Sequence, residues 1–595
     1  MLIGLELGSR LFRDWLEQSL IPQTWRICAP LPDHVVAQRL RPGLLSGPQA
    51  GPPARDNAQL TPLLVQLLHN RGIDDPAEFD AFLAADSRLA HDPFGLADMD
   101  KAVTRIMRAL LGDELIAVYG DFDADGITAT VLLVQGISLM GGRVVYYIPH
   151  RHDEGHGLNY PALEALKEQG VSLLITVDCG INGIAELEQG QKLGLDIVIT
   201  DHHVAPRVTP PALAAIDPKR PDSAYPFREL AGVGVAFKLL QALFEATNRA
   251  GQWEEALDLV VLGTIADMVP LGGENRYLVR RGLEVLNRSR RVGVLELVAS
   301  AGLEMGRLDE DHISYMLGPR LNASGRMDHA ITSYELLATS SREEARQLAA
   351  ALESNNSERQ RLTAEFLAKA KEALSREGAD SPLLMVSGPD YPHGVAGVVA
   401  GKLADEFCRP TIVVRLDGDI AKGSARSIPQ FDIVGALAEC EDLLTRYGGH
   451  HQAAGFVTPV ANVGPLRERL VEIAGRRLEG VDLRPVIGVD AEVPLSTLSG
   501  DTYRHVTRLA PFGQGNPVPT LLSRGVKLLT SRKMGSGDDH LKLKLRDGKV
   551  VWDAVAFDLG GRQLAPQLDI VYQLEREDWG GRPTLRLNIL DFVPT

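Results

Sequence analysis

The chain has 595 residues, which is enough for about three to five domains of ordinary size. Apolar residues make up 45% of the sequence and charged residues 24%, which is the balance of a globular protein and excludes a chain that is mainly disordered. The formal net charge is −16, so bulk attraction cannot hold a polyanion. Binding of a nucleic acid would need local basic clefts or metal ions.

The cysteines and the N-terminal sequence indicate the compartment. Cys28, Cys179, Cys408 and Cys440 form no CxxC pair, which argues against a disulfide framework and a cysteine zinc site and is typical of a reducing cytosol. Charges interrupt every apolar stretch of the first twenty residues, so we expect no signal peptide. No window contains the roughly 18 uninterrupted apolar residues that a membrane helix requires. We therefore expect a soluble, cytoplasmic protein that makes no contact with a membrane.

The sequence divides into five predicted segments. Residues 1–58 match no recognisable pattern and stay unassigned. Residues 59–340 begin with a helical pattern and continue with strands and helices in alternation, which predicts βαβ units and a parallel sheet covered on both faces. Residues 341–378 are charged and free of proline, which predicts a long helix joining this α/β domain to a second one at 379–480. The short alternating strands of 481–595 predict an all-β domain, a small barrel.

Carboxylates and histidines gather after the predicted strands of the first α/β domain. They are Asp121, Asp123 and Asp125 after IAVY, Asp178 after LLITV, Asp201, His202 and His203 after DIVIT, and Asp267 in the apolar run LGTIADMVPL. Sites in parallel sheets lie outside the carboxyl ends of the strands, so we expect these loops to converge. Carboxylates at this density repel one another unless cations neutralise them. Oxygen ligands with imidazoles suit Mg²⁺ or Mn²⁺, and a bridging carboxylate would make a two-metal site for phosphoryl chemistry.

Each of these residues also has a simpler interpretation. A single Asp after a strand is most often the N-cap of the next helix, and paired histidines are common on surfaces. The sequence DFDADG resembles the start of a calcium loop, but it lacks the ligand spacing and the Glu of an EF-hand. Four such sites within one α/β domain favour a metal centre over chance. The sequence has no GxxxxGK[ST] motif, so ATP-driven work is not indicated.

Several motifs carry a family resemblance. GDFDADG, VDCG, TDHH and ADMVPL resemble the four signature motifs of the DHH phosphoesterase superfamily. IPHRHDEGHGLN, AGVGVAFK, LGPRLNASGR, KGSARS, GGHHQAAGF and PFGQGNPVP resemble the RecJ family of bacterial exonucleases specific for single-stranded DNA. The motifs keep their order from about residue 60 to the end. The resemblance implies an α/β protein with a DHH domain and a DHH-associated domain joined by a long helix, followed by an oligonucleotide-binding barrel.

The resemblance also implies a role for each polar residue of the first domain. The metal ligands would be Asp123, Asp125, Asp178, His202 and Asp267, holding two Mn²⁺ or Mg²⁺ ions. Asp178 would bridge the ions, and Asp121 would either bind a metal or support a ligand. Asp201 would orient a histidine by hydrogen bonding, and His203 would face the scissile phosphate.

A second set of residues would bind the phosphates of the strand. His450 would contact a phosphate from the opposite side of the cleft and act in catalysis with Asp178 and His203, while His451 is interpreted as an ordinary loop histidine. Close glycines, Gly448, Gly449 and Gly455, would allow the backbone to approach a phosphate. Arg151, Ser424 and Arg426 resemble the family pocket for a terminal 5′ phosphate, which suits the bidentate fork of arginine.

Some positions leave alternatives open or depart from the family. Arg320 and Arg326 would either line the phosphate cleft or form ion pairs with the crowded carboxylates. His150 and His156 stand where the family pattern has an amide and an aromatic residue.

Basic residues elsewhere are further candidates for strand binding. In the barrel these are Lys527, Lys533, Lys542 and Lys544, with Trp552 and Phe557 as aromatic candidates that are more often core residues. The arginine run consists of Arg276, Arg280, Arg281, Arg288, Arg290 and Arg291, and a solvated helix face explains at least half of it.

The resemblance implies a 5′→3′ exonuclease that degrades single-stranded DNA by two-metal-ion hydrolysis in DNA repair and recombination. It also implies a single-strand-binding protein and a helicase as partners, and we expect a monomer. One alternative is a DHH phosphodiesterase for short oligonucleotides, cyclic dinucleotides or pyrophosphate, and another is a catalytically silent scaffold. The long connector and β tail argue against the first alternative, and the complete ligand set argues against the second.

Overall fold

The computed structural model describes residues 23–40, 60–151, 153–249, 251–377, 381–535, 537–577 and 584–595. The N-terminal sequence and most of the unassigned segment discussed above lie outside these residues. The chain forms two compact units. One contains the described residues up to Ala84 together with Asp482–Phe512 and Asn516–Thr595, and the other contains Ala85–Val481 with Gly513–Gly515. In the described ranges no helix is long and apolar enough to cross a membrane.

Among the described residues up to Ala84 there are one strand and three α-helices. They are β1 (Thr24–Ile27), α1 (Asp33–Arg39), α2 (Pro62–Asn70) and α3 (Pro76–Ala84). Helix α2 begins at Pro62 because the Thr61 side chain caps it, accepting a hydrogen bond from the Leu64 amide, and because proline suits the first helical position.

The first α/β domain is a parallel sheet with the strand order β3-β2-β4-β5-β6. Its strands are β2 (Leu115–Tyr119), β3 (Arg143–Tyr147), β4 (Val171–Val177), β5 (Asp196–Thr200) and β6 (Ala214–Ile216). Its helices are α4 (Met99–Leu111), α5 (Ala124–Leu139), α6 (Tyr160–Glu168), α7 (Ile184–Lys192), α8 (Gly232–Ala246), α9 (Leu257–Ala266), α10 (Gly273–Leu286), α11 (Val292–Ser300), α12 (Gly318–Met327) and α13 (Ile331–Ala338). Helix α5 is apolar on nearly all sides because α8 and α9 pack over it. The predicted doubly covered parallel sheet is confirmed.

A single helix of 36 residues, α14 (Arg342–Glu377), leads to the second α/β domain. That domain has the strand order β10-β11-β9-β8-β7, in which only β7 and β8 run parallel. Its strands are β7 (Leu384–Gly388), β8 (Thr411–Asp417), β9 (Ile420–Arg426), β10 (Arg446–His450) and β11 (Ala453–Pro459), and its helices are α15 (His393–Phe407), α16 (Ile433–Ala438) and α17 (Val463–Arg477). Two α/β domains joined by a long helix are therefore confirmed.

The C-terminal residues form a closed β-barrel, as predicted. Its strands are β13 (Ala491–Glu492), β14 (Leu521–Met534), β15 (His540–Asp547), β16 (Val550–Ala556), β17 (Gln567–Glu577) and β18 (Thr584–Pro594). Strand β12 (Val486–Val489) and helix α18 (Gly500–Thr507) belong to the same unit but not to the barrel sheet. The additional pairing of β14 with β17 closes the sheet. Alternate leucines of β15 point into the barrel, while Lys542 and Lys544 between them are exposed.

The N-terminal elements belong to the barrel unit, which differs from the predicted start of the first domain at residue 59. Strand β1 pairs in parallel with β12, from Thr24 opposite Val486 to Ile27 opposite Val489. Apolar residues of α2 and α3 form one core with α18 and the turn that follows it, namely Leu64, Leu67, Leu68, Phe79, Phe82, Val506 and Leu509. The apolar face of α2 was visible in the sequence, but its partner lies more than 400 residues away along the chain.

Candidate active site

The site lies where the strand order of the first sheet reverses. Strand β2 is followed in the chain by β3 on one side, and β4 and β5 lie on its other side. The loops after β2 and β4 therefore diverge in opposite directions and leave a crevice, which is where α/β sheets bind ligands. Asp121, Asp123 and Asp125 follow β2, and Asp178 follows β4. The sequence prediction that these loops converge agrees with this placement.

Backbone amides hold the carboxylates of Asp123 and Asp125 in place. Asp123 is the N-cap of α5 and accepts hydrogen bonds from the amides of Asp125 and Gly126. Asp125 is buried and accepts from the amides of Gly232 and Val233, both at 2.7 Å, at the N-terminus of α8. The N-cap role and the ligand role are therefore compatible for Asp123, because a carboxylate has lone pairs for both.

Asp178 occupies a position that demands close packing. Its backbone has a φ of 60°, in the left-handed region that Asp and Asn tolerate better than other residues with side chains. A Cβ atom on Gly232 would lie 2.5 Å from the Asp178 Oδ1 atom, so only glycine fits there. The AGVGVAFK motif therefore positions two carboxylates at once, Asp125 by hydrogen bonding and Asp178 by the lack of a side chain.

A Gly232→Ala substitution should lower turnover by roughly 100-fold, the cost of displacing reacting groups by about 1 Å. The new methyl group must push Asp178 or the start of α8 out of place. Gly234→Ala is the matched control on the same helix, because its Cβ would meet Leu230 at an ordinary 3.4 Å. The kcat of each variant is measured on a labelled strand. Equal kcat values would show that the close contact between Gly232 and Asp178 is unimportant.

Asp201 is the centre of a small hydrogen-bond network after β5. Its Oδ1 atom accepts from the amides of His202 and His203 and lies 2.8 Å from His203 Nδ1, while Oδ2 accepts from the Ile181 amide. Although burial opposes ionisation, the hydrogen bond from His203 lowers the pKa of Asp201 to about 2. The histidine that Asp201 orients is thus His203, whose Nε2 is the ring nitrogen left for a ligand.

The ligand atoms of the first domain cluster around His202. Its Nε2 atom lies 3.2 Å from Asp178 Oδ1, 3.6 Å from Asp267 Oδ2 and 4.0 Å from Asp125 Oδ2. Three groups have ligand atoms within 4.8 Å of one another: Asp178 with His202 and His203, Asp125 with His202 and Asp267, and Asp121 with Asp123 and Asp178. Asp178 and His202 each belong to two of these groups, so the three groups form one continuous cluster.

The electrostatics of this cluster fit divalent cations. Burial and then the neighbouring carboxylates raise the pKa of Asp125 to about 7 and of Asp267 to about 9, and that of Asp178 well above its usual value. Burial lowers the pKa of His202 to about 3, which keeps the imidazole neutral as a metal ligand must be. The buried Oδ1 atoms of Asp121 and Asp178 accept no hydrogen bond from the described residues. Hard divalent cations would satisfy these oxygens and cancel their repulsion.

A cluster of arginines lies beside the carboxylates. The Arg151 guanidinium sits 4.6 Å from the centre of the Phe122 ring, next to the Asp121 and Asp123 carboxylates. Burial, followed by the charges of Arg151, Arg359 and Arg426, lowers the pKa of Arg326 to about 9. Cations crowded in this way repel one another, so an anion bound among them is stabilised.

The second α/β domain contributes to the same region. Ser424 and Arg151 line one cavity of about 620 Å³, and the Arg426 side chain runs along α15, where a Cβ on Gly397 would lie 3.0 Å from it. His450 is exposed at the end of β10, and the charges of both Arg426 and His203 act on it. Arg151 and Ser424 thus line one cavity, and the charge of Arg151 also acts on Arg426. His451 is exposed, in line with its interpretation as a loop residue.

Other candidates are placed differently. Arg320 forms an ion pair with Glu353 of α14 at 2.6 Å, so its partner is a carboxylate of the connecting helix and not one of the metal ligands. His156, which departs from the family pattern, has its Nδ1 atom 3.1 Å from Asp121 Oδ2. This hydrogen bond raises the pKa of His156 to about 9. Sequence analysis missed Gly232 and Asn322, whose side chain accepts from the Ala124 amide at the start of α5.

The basic residues outside the cleft separate into buried and exposed ones. In the arginine run, Arg276 is buried, Arg291 pairs with Asp258, and Arg280 and Arg281 pair with Glu284. Arg288 and Arg290 are exposed, so most of the run has structural partners.

The barrel candidates divide in the same way. Trp552 belongs to the barrel core, as the simpler interpretation held, whereas Phe557 is 47% exposed. The four lysines singled out in the sequence, Lys527, Lys533, Lys542 and Lys544, are all exposed.

Comparison with known proteins identifies the family. Three family profiles match, the N-terminal domain of the DHH family over residues 115–264, the DHHA1 domain over 380–476 and the RecJ OB domain over 489–591. The single-stranded-DNA-specific exonuclease RecJ of Bacillus subtilis is 39% identical over 542 residues, covering 90% of this chain and 68% of that protein. The protein of the same name from Dickeya dadantii is 33% identical, over 90% of this chain and 96% of its own. The chain belongs to the RecJ family.

A solved RecJ structure extends the similarity to the fold. The crystal structure of Thermus thermophilus RecJ in complex with Mn²⁺ matches with a TM-score of 0.81 and 29% identity, covering 96% of this chain and 80% of that one. A structure of the same RecJ in complex with Mg²⁺ matches with a TM-score of 0.77. These RecJ proteins bind the two metals that the carboxylate and histidine cluster suits.

Proposed function

We propose that the protein is a metal-dependent exonuclease that degrades single-stranded DNA from its 5′ end. The observation that supports this proposal is the set of overlapping groups formed by ligand atoms of Asp121, Asp123, Asp125, Asp178, His202 and Asp267, together with the cavity that Arg151 and Ser424 line. Arg426 would complete this pocket. Membership of the RecJ family supports the same activity. The six carboxylates and histidines would hold two Mn²⁺ or Mg²⁺ ions, with Asp178 between them.

The residues of the chain divide the work of hydrolysis. Bound divalent ions would activate a water molecule and stabilise the negative charge that develops on the phosphoryl oxygens. Asp201 fixes the ring of His203 through Nδ1, so that Nε2 faces the scissile phosphate. His450 contacts the same phosphate from the second domain, because the glycines at 448 and 449 leave β10 open to a close approach.

The arginine cluster gives the reaction its direction. A terminal phosphate carries more charge than an internal phosphodiester, so Arg151 and Arg426 with the Ser424 hydroxyl select it. An enzyme that binds this end beside the metal site removes nucleotides from the 5′ end. Arg326 strengthens the field of the pocket, since it is buried among Arg151 and Arg426.

The remaining properties are inferred from the sequence and from the family. We infer that the protein acts as a monomer in the cytoplasm, in DNA repair and recombination, with a single-strand-binding protein and a helicase as partners. The four cysteines are free thiols, which accords with a reducing compartment. Arg320, which pairs with Glu353 of α14, would also contact the strand.

One incubation tests the function against its main alternative. A labelled single strand, the same strand in a duplex and a dinucleotide are each incubated with the protein and Mn²⁺. We expect the single strand to be degraded from its 5′ end and the duplex to persist. A faster reaction with the dinucleotide would instead indicate a phosphodiesterase for short oligonucleotides.

A further inference from the structure

A row of three cations lies beyond the proposed phosphate pocket. Arg415 of β8 is directly opposite Lys422 of β9, Lys422 is opposite Val457 of β11, and Val457 is opposite Arg446 of β10. Residues opposite each other on neighbouring strands share one face of a sheet. The three side chains therefore form a cationic row across the second sheet, and all three line the cavity of about 620 Å³ that Arg151 and Ser424 also line.

The cationic row and the phosphate pocket are in register. Lys422, Ser424 and Arg426 alternate along β9, so they lie on the same face of the sheet. Successive members are about 7 Å apart, the rise of two strand residues. Lys422 is thus one step beyond Ser424, and Arg426 is one step on the other side.

The surface between the row and the pocket is open. Ser424 is opposite Gly455, and Gly455 is opposite Gly448. A Cβ on Gly448 would meet nothing within 4 Å, so the described residues leave open space beside this glycine. A group bound at Ser424 can extend towards Lys422 without displacing protein atoms.

Within the part of the chain that the structure describes, the cations of the row have no acidic partner. The ion pairs of the described residues include none to Arg415, Lys422 or Arg446, and the buried Nε atom of Arg415 donates no hydrogen bond within them. The two carboxylates at the cavity are engaged elsewhere: Asp153 pairs with His150, and Glu154 accepts from the Tyr147 hydroxyl and the His150 amide. Three unpaired cations that face one cavity repel one another, so a ligand with several negative charges would be stabilised there.

We propose that the cationic row of Arg415, Lys422 and Arg446 binds the β- and γ-phosphates of a strand with a 5′-di- or triphosphate. This inference rests on the proposed function, since it places the α-phosphate in the pocket of Arg151, Ser424 and Arg426. A monophosphate end fills that pocket and leaves the row without a ligand. The enzyme then accepts a 5′-di- or triphosphate end as well as a monophosphate end.

The reaction needs no new chemistry. Water adds to the phosphorus that joins the first and second nucleotides, the bond from that phosphorus to the first O3′ breaks, and O3′ takes up a proton. The first nucleotide leaves as a nucleoside 5′-triphosphate, and the remaining strand has a 5′-monophosphate. Every later cycle uses the ordinary monophosphate end.

The test compares three strands of one sequence, each radiolabelled in the base of its first nucleotide and carrying a 5′-hydroxyl, a 5′-monophosphate or a 5′-triphosphate. With Mn²⁺ we expect the protein to remove the first nucleotide of the triphosphate strand as a nucleoside triphosphate. A Lys422→Ala/Arg446→Ala double variant should lose about tenfold in kcat/KM per cation on the triphosphate strand, the worth of one charge-assisted contact, and keep its rate on the monophosphate strand. The control is Arg469→Ala/Arg476→Ala, which removes one half-buried and one exposed cation of α17; these pair with Asp442 and Glu439 and do not line the cavity.

Each contrary outcome has a separate meaning. A protein that degrades the monophosphate strand but leaves the triphosphate strand intact overturns this inference alone. A protein that degrades neither strand contradicts the proposed function. If the double variant lost activity equally on both strands, the row would bind part of the ordinary strand and not a polyphosphate. The same conclusion would follow if the monophosphate strand released a dinucleotide and this release depended on Lys422 and Arg446.

Discussion

An Asp178→Asn variant is expected to lose at least about 10³-fold in the rate of strand degradation while it stays folded. Loss of a partner that only orients a metal ligand costs about 10–100-fold, and a carboxylate shared by two ions should cost more. Asn is the suitable replacement because the φ of 60° at this position is tolerated by Asn and strains Ala. Removal of one charge from a cluster of buried carboxylates also relieves repulsion, so the metal-free variant should unfold at a temperature no lower than the parent.

Metal binding gives a readout that does not depend on turnover. A ligand that binds only the folded state raises the unfolding temperature, so Mn²⁺ should stabilise the parent protein and leave Asp178→Asn unchanged. Asp258→Asn is the matched control, since Asp258 is equally buried but pairs with Arg291 at 3.1 Å and accepts from Ser289. This control should lose about 1–3 kcal/mol of stability and keep both activity and the Mn²⁺ effect. Full activity with an unchanged Mn²⁺ effect in Asp178→Asn would place the metal site elsewhere.

The first sheet could be predicted because its sequence is locally unambiguous. Strands buried on both faces, such as LLITV and DIVIT, appear as continuous apolar runs, and each is followed by the polar residues of a strand end. The order of these loops around a crevice follows from the general rule for parallel sheets. The carboxylates could therefore be named from sequence before any distance was known.

The supports of these carboxylates could not be predicted. Gly232 is 54 residues from Asp178 and 107 from Asp125, and the hydrogen bond from Ala124 to Asn322 spans 198 residues. A single sequence contains no signal for pairs at such separations. A glycine in a helical pattern indicates that a side chain would not fit there, but it does not identify the neighbouring residue that takes up the space.

The same limit explains the N-terminal helices and the arginine run. Helix α2 has an apolar face that must be buried, but the sequence does not say whether the first sheet or the barrel buries it. Arg276 and Arg288 look alike in the sequence, yet Arg276 is fully buried and Arg288 is exposed. Helical periodicity identifies faces, and only tertiary packing decides which arginine is available to a strand.

Arg426→Ala is expected to reduce discrimination between 5′-phosphoryl and 5′-hydroxyl strands by roughly 10–100-fold, the worth of a charge-assisted contact of about 1.5–3 kcal/mol. The Arg426 guanidinium is held in place, since its Nη1 donates to the Ala425 carbonyl at 2.8 Å and Gly397 leaves room for it on α15. A preorganised guanidinium binds a terminal phosphate with little loss of side-chain entropy. The ratio of kcat/KM values for the two ends measures the effect.

The contribution of the barrel needs a point substitution and not a deletion. Removal of residues 481–595 would strip α2 and α3 of their core and remove Gln514, whose carbonyl accepts from the Leu271 amide in the first domain. Lys542→Ala/Lys544→Ala instead changes two exposed side chains of β15. This variant should bind long strands more weakly and keep its preference for a 5′ phosphate. The slope of log K against log salt concentration should become shallower by up to about one for each phosphate that a lysine no longer neutralises. If the lysine variant abolished the preference and Arg426→Ala kept it, the end of the strand would be recognised by the barrel and not by the second α/β domain.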